Sequence, residues 1–219
     1  MITRGKNITK LINKYKLNSL KKEKILDESF WNERYSTGQT GWDIGMTSRP
    51  IKEYTDSLED RNIRILIPGC GNAYDAEYFS EQGFNNIHLL DISTELMNHL
   101  TLKFKNTSNI NLINRDFFSY FPESKYDLII EQTFFCSLDP ELRESYAKKM
   151  QELLKPNGRL VGVLFDRKFE FDGPPFGGSE EEYRKLFGRY FDIKVLDKCY
   201  NSIPEREGTE SFINLINKQ

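Results

Sequence analysis

From Arg64 onward, apolar and polar positions fall into alternating blocks. The short apolar runs "RILIP", "NIHLLD", "INLINRD", "YDLIIEQ" and "RLVGVLF" are strand-sized. Between most of them lie helical stretches, "AYDAEYFSEQ", "TELMNHLTLKF" and "PELRESYAKKMQELL". The last should begin after Asp139, with Pro140 in its first turn, and stop at "KPNG". Strand and helix in alternation predict a parallel sheet covered by helices on both faces. The tail breaks the rhythm. "YFDIKVLDKCY" and "SFINLINK" read as two strands joined by "NSIPEREGTE", with no room for a crossover helix. An antiparallel hairpin should therefore close a mostly parallel, seven-stranded α/β sheet of Rossmann-like type. Two N-terminal stretches lie outside the pattern. Residues 1–28 are rich in lysine and asparagine, with Ile8, Leu11, Ile12, Tyr15 and Leu20 at roughly helical spacing, and read as a basic arm or short amphipathic helix. "ESFWNERYSTGQTGWDIGMTSRP" is dense in aromatics and glycine without either period, and reads as a structured loop.

Composition narrows the classes. The chain has 219 residues, enough for one α/β domain over 29–219 with a sizeable core. A net charge of -2 argues for neither a nucleic-acid nor a membrane partner. The three cysteines, Cys70, Cys136 and Cys199, form no C-x-x-C, and His88 and His99 lack metal-ligand spacing, so no metal site and a reducing, cytoplasmic setting are expected. No apolar run is long enough to span a membrane, and the N-terminus does not read as a secretory signal.

The chemistry sits in "RILIPGCGNAYDAEYFSEQGFNNIHLLDIS". Gly69 and Gly71 follow the first strand, and Asp91 ends the second about 20 residues on, where an acid can accept from both hydroxyls of a ribose. This is not the dinucleotide turn, since Tyr74 stands where the third glycine would be. Asp75, at the start of the following helix, would repel a pyrophosphate and tolerate an ammonium. S-adenosylmethionine carries adenosine, an amino acid and a sulfonium but no phosphate, and fits better. Asp116 follows the third strand, where it could accept from an adenine amino group, and Glu131 ends the fourth, near a methionine moiety. Each acid alone would be an ordinary solvated strand end; three at successive ends form a pattern. Trp31, Tyr35 and Trp42 in the aromatic segment 30–50 would then form a lid attractive to a cationic sulfonium.

The motifs "FWNERYSTGQTGWDIG", "LIPGCGNAYD", "LLDIS", "NRDFF", "FFCSLDPELRESYAKKMQELLKPNGRL" and "DGPPF", in this order, resemble the thiopurine S-methyltransferase superfamily. "FFC" followed by P-E-x-R, and the later "GPPF", are similar to its halide/thiol branch. The resemblance covers Phe30 to the C-terminus and implies a class I S-adenosylmethionine-dependent methyltransferase, releasing S-adenosylhomocysteine. It implies cofactor contacts from Trp31, Tyr35, Trp42, Gly69 and Asp91, with Asp116 and Phe117 flanking the adenine and Glu131 and Gln132 near the methionine part. Cys70 and Ile92 join the cofactor site by their place in the chain. Tyr35 stands where the plant branch has Trp, and "RKFEFDGPPF" lacks the plant histidine, departures that bear on the acceptor.

The acceptor wall is expected from Phe134, Phe135, Pro174, Pro175 and Phe176, with Phe134 and Phe135 equally readable as core. Tyr183 and Arg206 are polar candidates, Arg206 otherwise an ordinary surface arginine of a hairpin turn, and Ser179 with Glu182 is a capping box starting the next helix. A thiolate, hydrosulfide or halide brings no proton, so no general base is required and no catalytic nucleophile is assigned. The expected partner is a small-molecule methyl acceptor, and the expected state a monomer. Three other readings remain: a NAD oxidoreductase, which lacks its third glycine and a catalytic pair; a non-catalytic cofactor-binding protein; and a nucleic-acid methyltransferase, supported only by the basic arm. Within the favoured class, an aromatic thiol or thiopurine is the alternative acceptor.

Overall fold

The computed structural model describes residues 25–218. The amphipathic reading of Ile8–Leu20 lies outside them. The elements, in chain order, are α1 (Glu28–Ser36), α2 (Arg49–Asp56), β1 (Ile65–Pro68), α3 (Tyr74–Glu81), β2 (Ile87–Asp91), α4 (Thr94–Lys103), β3 (Ile110–Asn114), β4 (Tyr126–Gln132), α5 (Arg143–Leu153), β5 (Leu154–Phe165), α6 (Glu180–Phe187), β6 (Phe191–Lys198) and β7 (Glu210–Asn217). Short 3-10 turns at Phe135–Ser137, Pro140–Leu142 and Pro204–Arg206 complete them.

One seven-stranded sheet runs in the order β3-β2-β1-β4-β5-β7-β6. Strands β1 to β5 pair in parallel, and β7 lies antiparallel between β5 and β6. The expected closing hairpin is present. Strand parity splits the core in two. Ile65, Ile67, Leu128 and Ile130 face Phe79 of α3 and Leu96 and Leu100 of α4. Leu66 and Ile129 face Tyr146 and Met150 of α5 and Phe187 of α6. β1 is therefore buried on both faces, which is why "ILIP" reads as an unbroken apolar run. The sheet reverses its order between β1 and β4, and ligands of such sheets sit beyond the carboxyl ends at that reversal.

Three local expectations are corrected. The segment read as a loop holds one helix, α1, and runs into a second, α2. Asp27 caps α1 by accepting from the Phe30 amide at 3.0 Å, yet α1 buries no residue, so it shows no apolar stripe in sequence. Ser48 and Pro50 mark the start of α2, whose Ile51 and Thr55 are buried. The helix does stop before "KPNG": α5 ends at Leu153 and β5 starts directly at Leu154, with Asn157 at φ 62 inside the strand. Asp139 caps a 3-10 turn through the Glu141 amide, and α5 begins only at Arg143. Ser179 does cap α6 through the Glu182 amide, but the Glu182 carboxylate turns to Arg143 and does not close the box.

Candidate active site

The glycine loop leaves β1 in a tightly determined path. Gly69 has φ +58, and a Cβ there would lie 2.3 Å from the Phe134 ring. Gly71 has φ +52, and its missing Cβ would point at the Tyr35 hydroxyl, 4.0 Å away. Gly69 needs glycine for both torsion and space, Gly71 for its torsion. Behind the loop, Lys103 Nζ donates to the Asn72 carbonyl and to Glu77, each at 2.7 Å.

The aromatic lid is held over this loop from three sides. On α1, Asn32 Oδ1 accepts from Ser93 Oγ at 2.8 Å and from the Glu95 amide at 3.1 Å. Thr94 Oγ1 donates to Glu28 at 2.6 Å, so α1 is pinned to the N-terminus of α4, beside Asp91. Trp42 meets Trp31 and Tyr35 edge-on, at 5.6 and 5.7 Å between ring centroids. Asp43 accepts from Asn72 Nδ2, from the Gly45 amide at 2.7 Å and from the Tyr74 hydroxyl at 3.4 Å. Arg206 Nη2 donates to the Trp42 carbonyl at 2.8 Å.

The strand-end acids have unequal roles. Asp91 is partly buried and accepts from the Ser93 amide at 2.9 Å. Burial pushes its pKa up to about 6, against the lowering effect of the Ser93 and Ile92 amides. Ile92 is half-buried, its carbonyl taken by Asn114. Asp116 accepts from the Ser119 amide at 2.8 Å and remains partly accessible. Glu131 is turned away from the lid. It shares strand parity with Ile129, is fully buried, and accepts from the Phe134 and Phe135 amides at 2.8 and 2.9 Å and from the Tyr146 hydroxyl. A direct contact between Glu131 and a methionine moiety is therefore corrected: its carboxylate caps the turn after β4.

Gln132, of opposite parity, faces a cavity of about 50 Å³ between the lid loop and the glycine loop, and its Oε1 is buried without a partner. Asp43, Cys70 and Asp75 share this lining, and no lysine, arginine or histidine does. Among the described residues Asp75 accepts only the Ser48 amide, at 3.3 Å, and burial raises its pKa to about 7. Thr133, also in the lining, holds φ 62, a position costing a β-branched residue about 1–3 kcal/mol. Nothing in the sequence marks Thr133 or Asn32; Asp43, adjoining Trp42, was the nearest available signal.

The acceptor wall is only partly assembled. Phe134 is half-buried over Gly69, and Pro174, Pro175 and Phe176 are half-buried in the loop after β5, tied down by the Phe176 amide on the Cys136 carbonyl at 2.7 Å. Phe135 and Tyr183 belong to the core, 1 % exposed each, and the Tyr183 hydroxyl is spent on the Phe165 carbonyl at 2.5 Å. Phe117 is likewise buried, edge-on to Phe134 at 5.1 Å. Arg206 is no free anion ligand: besides Trp42 it pairs with buried Glu210 at 3.3 Å. Burial pushes the Cys70 and Cys136 thiols up, so neither is poised as a nucleophile. Among the described residues no cluster of His, Cys, Asp and Glu could hold a metal, and no helix is long and apolar enough to cross a membrane.

A sequence profile of the thiopurine S-methyltransferase family matches residues 26–217. A probable thiol methyltransferase 2 of Arabidopsis thaliana is 34% identical over 159 residues, 71% of this chain and 70% of that one. Thiocyanate methyltransferase 1 of Brassica oleracea is 28% identical over 192 residues, 85% of this chain and 84% of that one. Among solved structures, the Burkholderia thailandensis 1,6-didemethyltoxoflavin-N1-methyltransferase, bound to 1,6-didemethyltoxoflavin and S-adenosylhomocysteine, superposes with a TM-score of 0.70 at 17% identity, covering 88% of this chain and 87% of that one.

Proposed function

Because the chain belongs to the thiopurine S-methyltransferase family, we propose that it transfers the methyl group of S-adenosylmethionine to a small soft nucleophile, a thiol or hydrosulfide first and halide or thiocyanate in the same class. The observation that carries this reading is a juxtaposition. The lid helix is pinned by Asn32 to the turn after Asp91, and its Tyr35 hydroxyl and the neighbouring Trp42 ring border the Gly69–Gly71 loop at the β1/β4 reversal.

The residues present fit the cofactor. The Asp91 carboxylate, at the carboxyl end of β2, suits a ribose hydroxyl. The unpaired Oε1 of Gln132 is a buried acceptor that needs a donor, and an ammonium provides one. A lining with two carboxylates and no basic side chain favours a cationic ligand over a phosphate. Asp116 stays partly accessible for an adenine amino group.

When bound, S-adenosylmethionine supplies an electrophilic methyl on a sulfonium. Trp31, Tyr35 and Trp42 exclude water from that charge and offer it aromatic faces. Phe134, Pro175 and Phe176 hold the acceptor in line at the carboxyl edge. No residue takes a proton: His99 is exposed on α4, and His88 is held near pKa 4 by burial within β2. An acceptor arriving as an anion needs none. The three free cysteines support a reducing, cytoplasmic setting.

The test is to supply the purified protein with S-adenosylmethionine and, separately, hydrosulfide, iodide and an aromatic thiol, measuring methanethiol, methyl iodide and S-adenosylhomocysteine. Methanethiol or methyl iodide, lost on Asp91→Ala, is the expected result. Turnover with the aromatic thiol alone would move the acceptor to thiopurine-like compounds. No turnover with any of them would refute the acceptor assignment.

A further inference from the structure

The loop after β5 is fastened to the rest of the domain by a buried guanidinium that the proposed transfer chemistry does not use. Arg143 opens α5 and is 8 % exposed. Its Nη2 donates to the Gly177 carbonyl at 2.6 Å, its Nη1 pairs with Glu182 at the start of α6, and its plane lies 4.9 Å above the Phe135 ring. Gly177, in turn, tolerates no side chain, because a Cβ would fall 1.8 Å from the Arg167 carbonyl. Both ends of the segment 167–178 are thus drawn together under Arg143, with Pro174, Pro175 and Phe176 between them.

The same guanidinium reaches the cofactor side through one turn. Glu131 fixes the Phe134 and Phe135 amides. The Phe134 ring then packs on Gly69, and the Phe135 ring on Arg143. A displacement of the loop after β5 is resisted by a contact that starts from the end of β4. Stability alone explains this poorly. The Arg143 Nε–H is buried with no acceptor, a cost that an apolar side chain at this place would avoid. Lysine could not replace it either, since a single ammonium lacks the planar fork that serves Gly177 and Glu182 while stacking on a ring.

We infer that Arg143 is a positioning residue for the methyl acceptor: it latches the loop carrying Pro174–Phe176 and so sets acceptor affinity without touching the cofactor. This rests on the acceptor wall proposed above. Arg143 lies outside both the glycine loop and the lid, so the two kinds of affinity should separate.

The experiment compares wild type with Arg143→Met, Arg143→Lys and Glu182→Gln. Calorimetric S-adenosylhomocysteine binding is measured beside KM for hydrosulfide or an aromatic thiol, and hydrogen exchange is followed over 166–178. The expected result for Arg143→Met is an acceptor KM raised on the order of tenfold to a hundredfold, S-adenosylhomocysteine affinity within about twofold, and faster exchange at the Phe176 and Gly178 amides. Arg143→Lys should behave alike, and Glu182→Gln, which keeps the Gly177 bond, should show a smaller rise. If Arg143→Met does not fold, Arg143→Lys decides the matter. Equal losses of acceptor and cofactor affinity, or unchanged acceptor KM, would overturn the latch. A wild type that binds S-adenosylhomocysteine yet turns over no acceptor would instead sink the acceptor assignment beneath it.

Discussion

Replacing Glu131 by glutamine should flatten the pH dependence of stability. The side chain is 0 % exposed, and burial pushes its pKa from 4.5 up to about 7, against the pull of the Tyr146 hydroxyl and the Phe135 and Phe134 amides. The folded protein therefore keeps a proton that the unfolded chain has lost. Below about pH 4.5 both states are protonated and the carboxyl costs nothing extra. As pH rises toward about 7, stability falls by 1.36 kcal/mol per pH unit. Above that both states are ionised and the loss is complete. The span from 4.5 to about 7 amounts to roughly 3 kcal/mol. Glutamine keeps an acceptor for the two amides and can donate to the Tyr146 oxygen, so the turn survives. Asp75 and Asp91 act with the same sign, their pKa values raised to about 7 and about 6, but they remain in both proteins. Urea unfolding between about pH 5 and about pH 8 should thus show the variant gaining on wild type by roughly 2–3 kcal/mol. Parallel curves for the two proteins would refute the claim that burial holds this carboxyl protonated.

Gly69→Ala should lose S-adenosylhomocysteine binding and about 1–3 kcal/mol of stability, because φ +58 and a 2.3 Å approach to Phe134 are imposed together; thermal melts and a ligand titration read both. Asn32→Ala removes the acceptor for Ser93 Oγ and the Glu95 amide, and should weaken S-adenosylhomocysteine binding about tenfold with little change in Tm. The two tryptophans of the chain, Trp31 and Trp42, are both in the lid, so intrinsic fluorescence follows that binding directly. Arg206→Met frees the Trp42 carbonyl and leaves Glu210 buried without its cation, and should cost about 3 kcal/mol in urea unfolding.

The alternation of apolar runs with helical stretches carried the sheet and its closing hairpin, because strands buried on both faces have no other compact solution. The lid helix was hidden for the opposite reason. Trp31 and Tyr35 are half-buried against ligand-side surfaces rather than a core, so α1 buries nothing and has no stripe to read. Its one signal was Asp27 as a cap, three residues before the amide of Phe30. Phe135 and Tyr183 looked like wall because they flank the acceptor segments in sequence. The 3-10 turn at Phe135–Ser137 folds Phe135 back under Arg143, a long-range event that no local pattern encodes.

Glu131 and Gln132 show where more could have been read. Both close β4, and an acid at a strand's carboxyl end in such a sheet is the natural ligand candidate. Parity decides otherwise. Ile129 and Glu131 lie on the face packed by Tyr146, and Ile130 and Gln132 lie on the face of α3 and the lid. Side chains two apart share a face, so once α5 is assigned to the Ile129 side, Glu131 must go there too. A carboxylate sent into that core survives only with donors, and the Phe134 and Phe135 amides and Tyr146 supply three. The neutral neighbour then becomes the free acceptor at the β1/β4 reversal. Glu131 therefore serves the site at one remove. It shapes the turn that lays Phe134 on Gly69 and Phe135 beneath Arg143, joining the glycine loop to the loop that would hold the acceptor.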